Sequence, residues 1–207
     1  MRGFVVAIGC AILAGCGGGS GGGGGGRAAP VDVVLTSIGA FDGTVTSTGN
    51  VVADEFVAVG DQDVDGVSFR GFHRFDLSAI PPGALITCAV FRTYQGFATI
   101  GVYVDLGDLS LDWVELGGAL DGADYDASAV AADVATVSTG RISGHLEALV
   151  TDTVQACLDS NGTHLDLRLR FPLASDGDRG PDSLWLASAE DDLGSGEAPT
   201  LLVSYLP

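Results

Sequence analysis

The chain has 207 residues, no lysine, nine arginines and 27 acidic residues, for a formal charge of −18. A field of that sign repels nucleic-acid phosphates and anionic headgroups, which excludes a DNA- or RNA-binding role on charge. A polyanionic ligand would need a local basic patch or a bound cation, and the bland reading of the acidity is solubility or adaptation to salt.

Residues 1–15 open with Met1 and Arg2, continue as an apolar run from Phe4 to Leu13, and end on small residues before Cys16. That is the layout of an export signal, and the run is too short to span a bilayer comfortably. An ordinary secretory signal or a simple membrane anchor is the alternative. The tetrapeptide Leu13-Ala14-Gly15-Cys16 resembles the lipobox of bacterial lipoproteins. The resemblance implies cleavage before Cys16, a diacylglyceryl group on its thiol, and acylation of the new amino end, with palmitate among the chains. One acyl chain binds a membrane only marginally, so several are needed for a stable anchor. Gly17 stands where inner-membrane retention would want Asp, which favours the outer membrane. Residues 16–30 are then a lipidated cysteine and a glycine-rich tether, a flexible coil. Residues 31–207 are expected to form one domain held in the cell envelope.

Within that domain the dominant period is two. Strands are expected over residues 31–38, 44–46, 55–59, 69–77, 85–94 and 100–106, with Pro81-Pro82-Gly83 as a turn. In 69–77 the odd positions Phe69, Gly71, His73, Phe75 and Leu77 share one face, and Arg70 and Arg74 the other. Arg74 and Asp76 form a candidate same-face pair. Residues 113–116 read as a short strand or turn and 121–126 as a loop, while 127–137 admit either helix or strand. Residues 146–158 are the best helix, with Leu146, Leu149, Val150, Val154 and Cys157 at three- and four-residue spacings, ended by Asn161-Gly162. Leu165, Leu167 and Leu169 then alternate with Asp166, Arg168 and Arg170, which makes Arg168 and Arg170 an exposed pair. Residues 183–188 and 200–206 close the chain as strands. The expected class is all-β, an antiparallel jelly-roll-type β-sandwich with one short helix.

Arg70-Gly71-Phe72-His73-Arg74-Phe75-Asp76-Leu77-Ser78-Ala79-Ile80, the proline turn after it and Ala89-Val90-Phe91 resemble the DNRLRE domain, also described as carbohydrate-binding module family 96. Residues 149–154, 165–171, 188–190 and 198–205 resemble its later elements in the same order. The resemblance spans about residues 51–207 and departs at Phe72-His73. It implies a jelly-roll sandwich on an exported protein, binding polysaccharide in some members and serving as a structural appendage in many.

Cys88 and Cys157 remain once Cys16 is assigned to lipid. In an oxidising compartment they are expected to form a disulfide, worth roughly 4 kcal/mol for a loop of about 70 residues; two separately buried thiols are the alternative. Asp61, Asp63 and Asp65 before Gly66 match the first half of a calcium loop, but Phe72 stands where its closing glutamate belongs. A Ca²⁺ site completed by distant residues and an acidic surface turn are both open. Asp176, Asp178, Glu190, Asp191 and Asp192 are candidate partners or solvated acids. His73 is read as a hydrogen-bonded core residue, and His145 and His164 are isolated. Trp113, Tyr125 and Trp185 are the candidate ligand-binding aromatics, with Trp185 equally readable as core.

No nucleophile elbow or zinc-binding helix motif is present, so the expected protein is not an enzyme. It is a lipid-anchored envelope protein that binds polysaccharide or, in the alternative, contacts another envelope protein. A polysaccharide-degrading activity is the least favoured reading.

Overall fold

The computed structural model describes residues 29–52, 56–62, 66–190 and 198–207. The lipobox with Cys16, nearly all of the tether, and Asp63, Asp65, Asp191 and Asp192 lie outside the described residues.

Twelve strands are formed among the described residues: β1 (Val31–Thr36), β2 (Gly43–Thr46), β3 (Val51–Val52), β4 (Phe56–Gln62), β5 (Val67–Asp76), β6 (Leu85–Ala98), β7 (Leu109–Val114), β8 (Ala131–Ser138), β9 (Gly144–Leu149), β10 (His164–Arg170), β11 (Ser183–Ala187) and β12 (Thr200–Leu206). All pair antiparallel, in the order β1-β12-β6-β11-β4-β5-β10-β7-β8. The result is a curled half-barrel. The curl is set by the two longest strands. The first part of β6 pairs with β12 and its end with β11, while β9 lies on its other edge. Likewise β5 begins against β4 and continues against β10, with β2 opposite both. Each long strand thus hands the ladder from one neighbour to the next, and β4–β11 joins the two parts.

Alternation fills the interior as expected. Leu165, Leu167 and Leu169 of β10, Leu184 and Leu186 of β11, and Phe75 and Phe91 are fully buried in one core. Phe75 and Phe91 meet edge-on at 6.1 Å. The opposite face of β5 and β10 is also covered. Segment 115–129, with a one-turn 3-10 helix at Gly122–Asp126, closes over it and builds a second small core of Val45, Phe72, Val114, Leu116 and Tyr125. Of the two arginines expected on an exposed face, Arg168 is therefore buried and Arg170 part-buried. Arg74 pairs with Asp166, directly opposite on β10, rather than with Asp76.

Two local expectations are corrected, and the segment open to helix or strand is settled as strand. Residues 100–106 fold as a single helical turn, α1 (Val102–Asp105), which buries Val102 and Leu106 one turn apart. Residues 131–138 form β8. The expected helix over 146–158 is two elements, β9 and then α2 (Thr151–Asp159). The apolar spacing of the expected helix comes from joining an alternating strand (Leu146, Ala148) to a helical face (Val154, Cys157). α2 ends where Asn161 enters the left-handed region (φ 62°) and the Gly162 amide donates to the Cys157 carbonyl at 2.8 Å. No helix among the described residues is long and apolar enough to cross a membrane.

The expected Cys88–Cys157 disulfide is not formed. Cys157 is a free, buried thiol that donates to the His164 carbonyl at 3.1 Å. It lies on the inner face of α2, among Val150, Val154 and the strands beneath, and burial pushes its pKa up to about 11.

Candidate functional site

Three polar or aromatic constellations stand out. The first is a groove on the outer side of β4 and β11. Period-two alternation buries Leu184 and Leu186 and so turns Trp185 outward, where it is 37% exposed. Its indole stacks on Phe56 with ring centres 4.5 Å apart and planes 20° apart, and Phe97 of β6 leans on it at 5.1 Å. Trp185 and Phe56, together with Val52, Phe69, Thr44 and Gln62, border a cavity of about 310 Å³. Thr44 gives that wall its form: its hydroxyl accepts from the Ala58 amide at 2.7 Å and donates to the Ala58 carbonyl at 3.2 Å, tying β2 to β4 without a ladder.

The second constellation adjoins the groove. Asp105 at the end of α1, Asp176 in the β10–β11 connection and Asp182 just before β11 bring carboxylate oxygens within 4.8 Å of one another. Two oxygens each about 2.4 Å from one calcium ion are at most about 4.8 Å apart, so the spacing suits a divalent cation with hard oxygen ligands. Asp61, which also borders the groove, is held against Asp182 by one backbone hydrogen bond and one from the Asp182 amide to the Asp61 carboxylate. Asp182 is buried; that burial, and then the charges of Asp105, Asp61, Asp176 and Asp178, push its pKa up. Gly101 makes room for the acids, because a Cβ there would stand 2.2 Å from Asp105 Oδ2 and 2.6 Å from Asp182 Oδ1.

The third constellation is a buried charge row on β5, β7 and β10. Asp112 takes Nε and Nη2 of Arg168 at 3.1 and 2.7 Å and Nε of Arg170 at 2.7 Å, all on Oδ2. Burial alone would raise the Asp112 pKa; hydrogen bonds from Arg170, the Asp133 amide and Arg168 outweigh it and hold the carboxyl below its ordinary range. Arg70 lies 4.1 Å over the ring of Tyr125.

Of the sequence-derived ligand aromatics, Trp185 lies at the surface and on the groove. Trp113, on β7, is partly buried against the main core. Tyr125 is only 7% exposed, with its hydroxyl bonded to Ser68. Of the calcium-loop acids, Asp61 is buried beside the acidic triad. Asp176, noted in sequence as a possible partner, is a member of it. Asp105 and Asp182 were not singled out, nor were Phe56 and Phe97. Phe56 was legible as the alternate neighbour of Ala58 on a strand; the triad was not, since Asp105 comes from the β6–β7 connection and Asp176 and Asp182 from the β10–β11 connection, much further along the chain.

His73 sits fully buried with Nδ1 3.1 Å from Asp42 Oδ1. Ser37 donates to Asp42 Oδ2 at 2.6 Å, as does the Ala189 amide at 2.8 Å. The serine hydroxyl thus serves the aspartate and not the imidazole, and the group ties β1, β5 and residue 189 together as an internal polar knot.

No known protein-family model matches the chain, and no curated protein is significantly similar to it.

Proposed function

We propose that this chain is a lipid-anchored cell-envelope protein whose β-domain is a non-catalytic polysaccharide-binding module, with its strands packed as a jelly-roll-type sandwich. The observation that carries the reading is the exposed stack of Trp185 on Phe56, flanked by Phe97, beside a groove with Thr44, Asp61 and Gln62 on its walls. Flat rings offer a face to the C–H side of a pyranose, while a few fixed polar groups select hydroxyl positions. In this reading Ca²⁺ at Asp105, Asp176 and Asp182 braces the end of the groove, and Cys16 carries the acyl chains that hold the module at the outer membrane.

Calorimetric titration of the domain with neutral and acidic polysaccharides, with and without calcium, tests the binding role. Saturable heat that disappears in Trp185→Ala supports it, and no saturation with any polysaccharide overturns it. Labelled palmitate incorporated by the wild type and not by Cys16→Ser supports the anchor; equal labelling removes it.

A second reading, contact with another envelope protein, draws on a different surface. Ile100 and Val104 are each 84% exposed, and Phe97 and Ile142 border a nearby hollow. Cross-linking in intact cells that recovers a heterologous adduct through Ile100→Cys favours this second role.

A further inference from the structure

We infer that Arg70, Arg168 and Arg170 build an oxyanion-binding pocket, a site separate from both the aromatic groove and the acidic triad. In a chain of charge −18, three of the nine arginines converge on one cavity of about 130 Å³. Its walls also carry Ser68, Tyr125 and Ala174. That volume equals about four waters of bulk liquid, the scale of a carboxylate, sulfate or phosphate group.

The charges around the cavity do not cancel where they meet. Asp112 is the fully buried counter-charge and is shared between Arg168 and Arg170. The other two carboxylates, Asp126 on Arg70 and Asp133 on Arg170, have side chains 84% and 65% exposed, so water screens them. The donors are not used up either. Arg168 spends Nε and Nη2 on Asp112 and Nη1 on the Tyr125 and Ala127 carbonyls. Arg70 bonds through Nη1 alone, to the Tyr125 carbonyl and Asp126. Arg170 bonds through Nε and Nη2. Among the described residues, Nε and Nη2 of Arg70 and Nη1 of Arg170 donate to nothing. The bond between the Ser68 and Tyr125 hydroxyls consumes one of their two protons, leaving one for a ligand.

Planar guanidinium groups with spare N–H donors in a partly desolvated hollow select oxygen anions over chloride, because forked geometry rewards two oxygens on one centre. The crowding supports the same reading. Burial lowers the Arg70 pKa, and nearby Arg168 and Arg170 lower it further, a penalty that a bound anion relieves.

The test is a titration of the domain with sulfate, phosphate, glucuronate and glucose at constant ionic strength set by sodium chloride, read by calorimetry and thermal melting. Saturable binding by sulfate or phosphate identifies a free inorganic occupant. Saturation by glucuronate but not by glucose or the inorganic ions identifies a carboxylate on a larger ligand. Either supports the pocket. Arg70→Gln is expected to weaken binding at least tenfold, with Arg141→Gln, outside the pocket, as the unchanged control. Ala174→Glu tethers a carboxylate at the mouth and is expected to abolish the anion dependence of melting, which decides the question if Arg70→Gln does not fold. No saturation by any of the anions, or wild-type binding in Ala174→Glu, overturns the proposal. Trp185→Ala leaves this titration unchanged, so the pocket and the saccharide groove fail separately.

Discussion

Asp61 and Asp182 are joined by a reciprocal pair of hydrogen bonds: the Asp182 amide donates to Asp61 Oδ1 at 3.0 Å, and the Asp61 amide donates to the Asp182 carbonyl at 2.7 Å. This clasp joins the end of the aromatic groove to the acidic triad, so whatever steadies Asp182 also steadies the groove.

Calcium is accordingly expected to raise the melting temperature of the domain. At a hundredfold excess over Kd the gain is about 2.7 kcal/mol, or about 5–10 °C for a domain of this size. The pH dependence has a definite sign. The folded Asp182 carboxyl has a raised pKa, so without calcium the folded state holds its proton more tightly than the unfolded chain. Its contribution to stability is therefore most favourable at low pH and falls as pH rises from the ordinary carboxyl pKa through the raised one. Calcium competes with that proton, so its benefit is absent in acid and grows across the same window. Asp182→Asn is expected to lose the calcium gain. Calorimetric scans between pH 3 and 7 check both, and a calcium shift that survives Asp182→Asn refutes the site.

Trp185→Ala is expected to reduce polysaccharide affinity at least tenfold while costing only about 1 kcal/mol of stability, the worth of an exposed ring pair. Trp113→Ala reverses the pattern: about 3 kcal/mol of stability is lost from the core, and the folded fraction binds as before. Paired denaturation and binding measurements separate the two.

Asp112→Asn strands the buried Arg168 guanidinium and removes the inner partner of the part-buried Arg170, and is expected to cost about 3 kcal/mol. Because the Asp112 pKa is lowered, its contribution is complete above the ordinary carboxyl range and disappears as pH falls through the lowered value. The variant should therefore show a flatter acid limb than the wild type in urea melts repeated across pH. An unchanged acid limb would falsify the assignment of the row as a stability element.

Gly60→Ala is expected to destabilise by more than about 2 kcal/mol. Its φ of +128° belongs to glycine, and a Cβ would meet the Asp182 carbonyl oxygen at 2.0 Å, backbone that cannot swing aside. Thermal melting reads the loss, and reduced calcium response should accompany it.

Cys157, with a pKa raised to about 11 and its sulfur inside α2, is expected to resist iodoacetamide at pH 8 in the native domain and react on unfolding. Rapid native labelling would show that α2 opens readily.

Most strands were legible because their inner faces alternate: β10 presents Leu165, Leu167 and Leu169 inward, as its sequence dictates. Its outer face was misread because alternation says nothing about what covers that side. The cover comes from segment 115–129, and the carboxylate that receives Arg168 lies 56 residues away. The helix was misplaced because a strand followed at once by a helix mimics one long apolar stripe. The turn at Val102–Asp105 escaped notice because Val102, Tyr103 and Val104 favour strands locally, whereas burial of Val102 and Leu106 together needs a helical turn. Trp185 stayed open between core and surface in the sequence, because period two gives its alternation with Leu184 and Leu186 but not which face is covered, and the meeting of Asp105, Asp176 and Asp182 is a product of topology.

Val31 lies opposite Tyr205 in the β1–β12 ladder, so the entrance and exit of the folded domain sit on neighbouring strands, about 5 Å apart. A few added residues bridging position 207 to position 31 would make the polypeptide a ring, which then tolerates cutting at the exposed Pro81-Pro82-Gly83 bend. Such a circular permutant keeps every ladder and moves the chain ends elsewhere on the domain. Where a linker or label joins the domain can therefore be re-engineered without disturbing the groove.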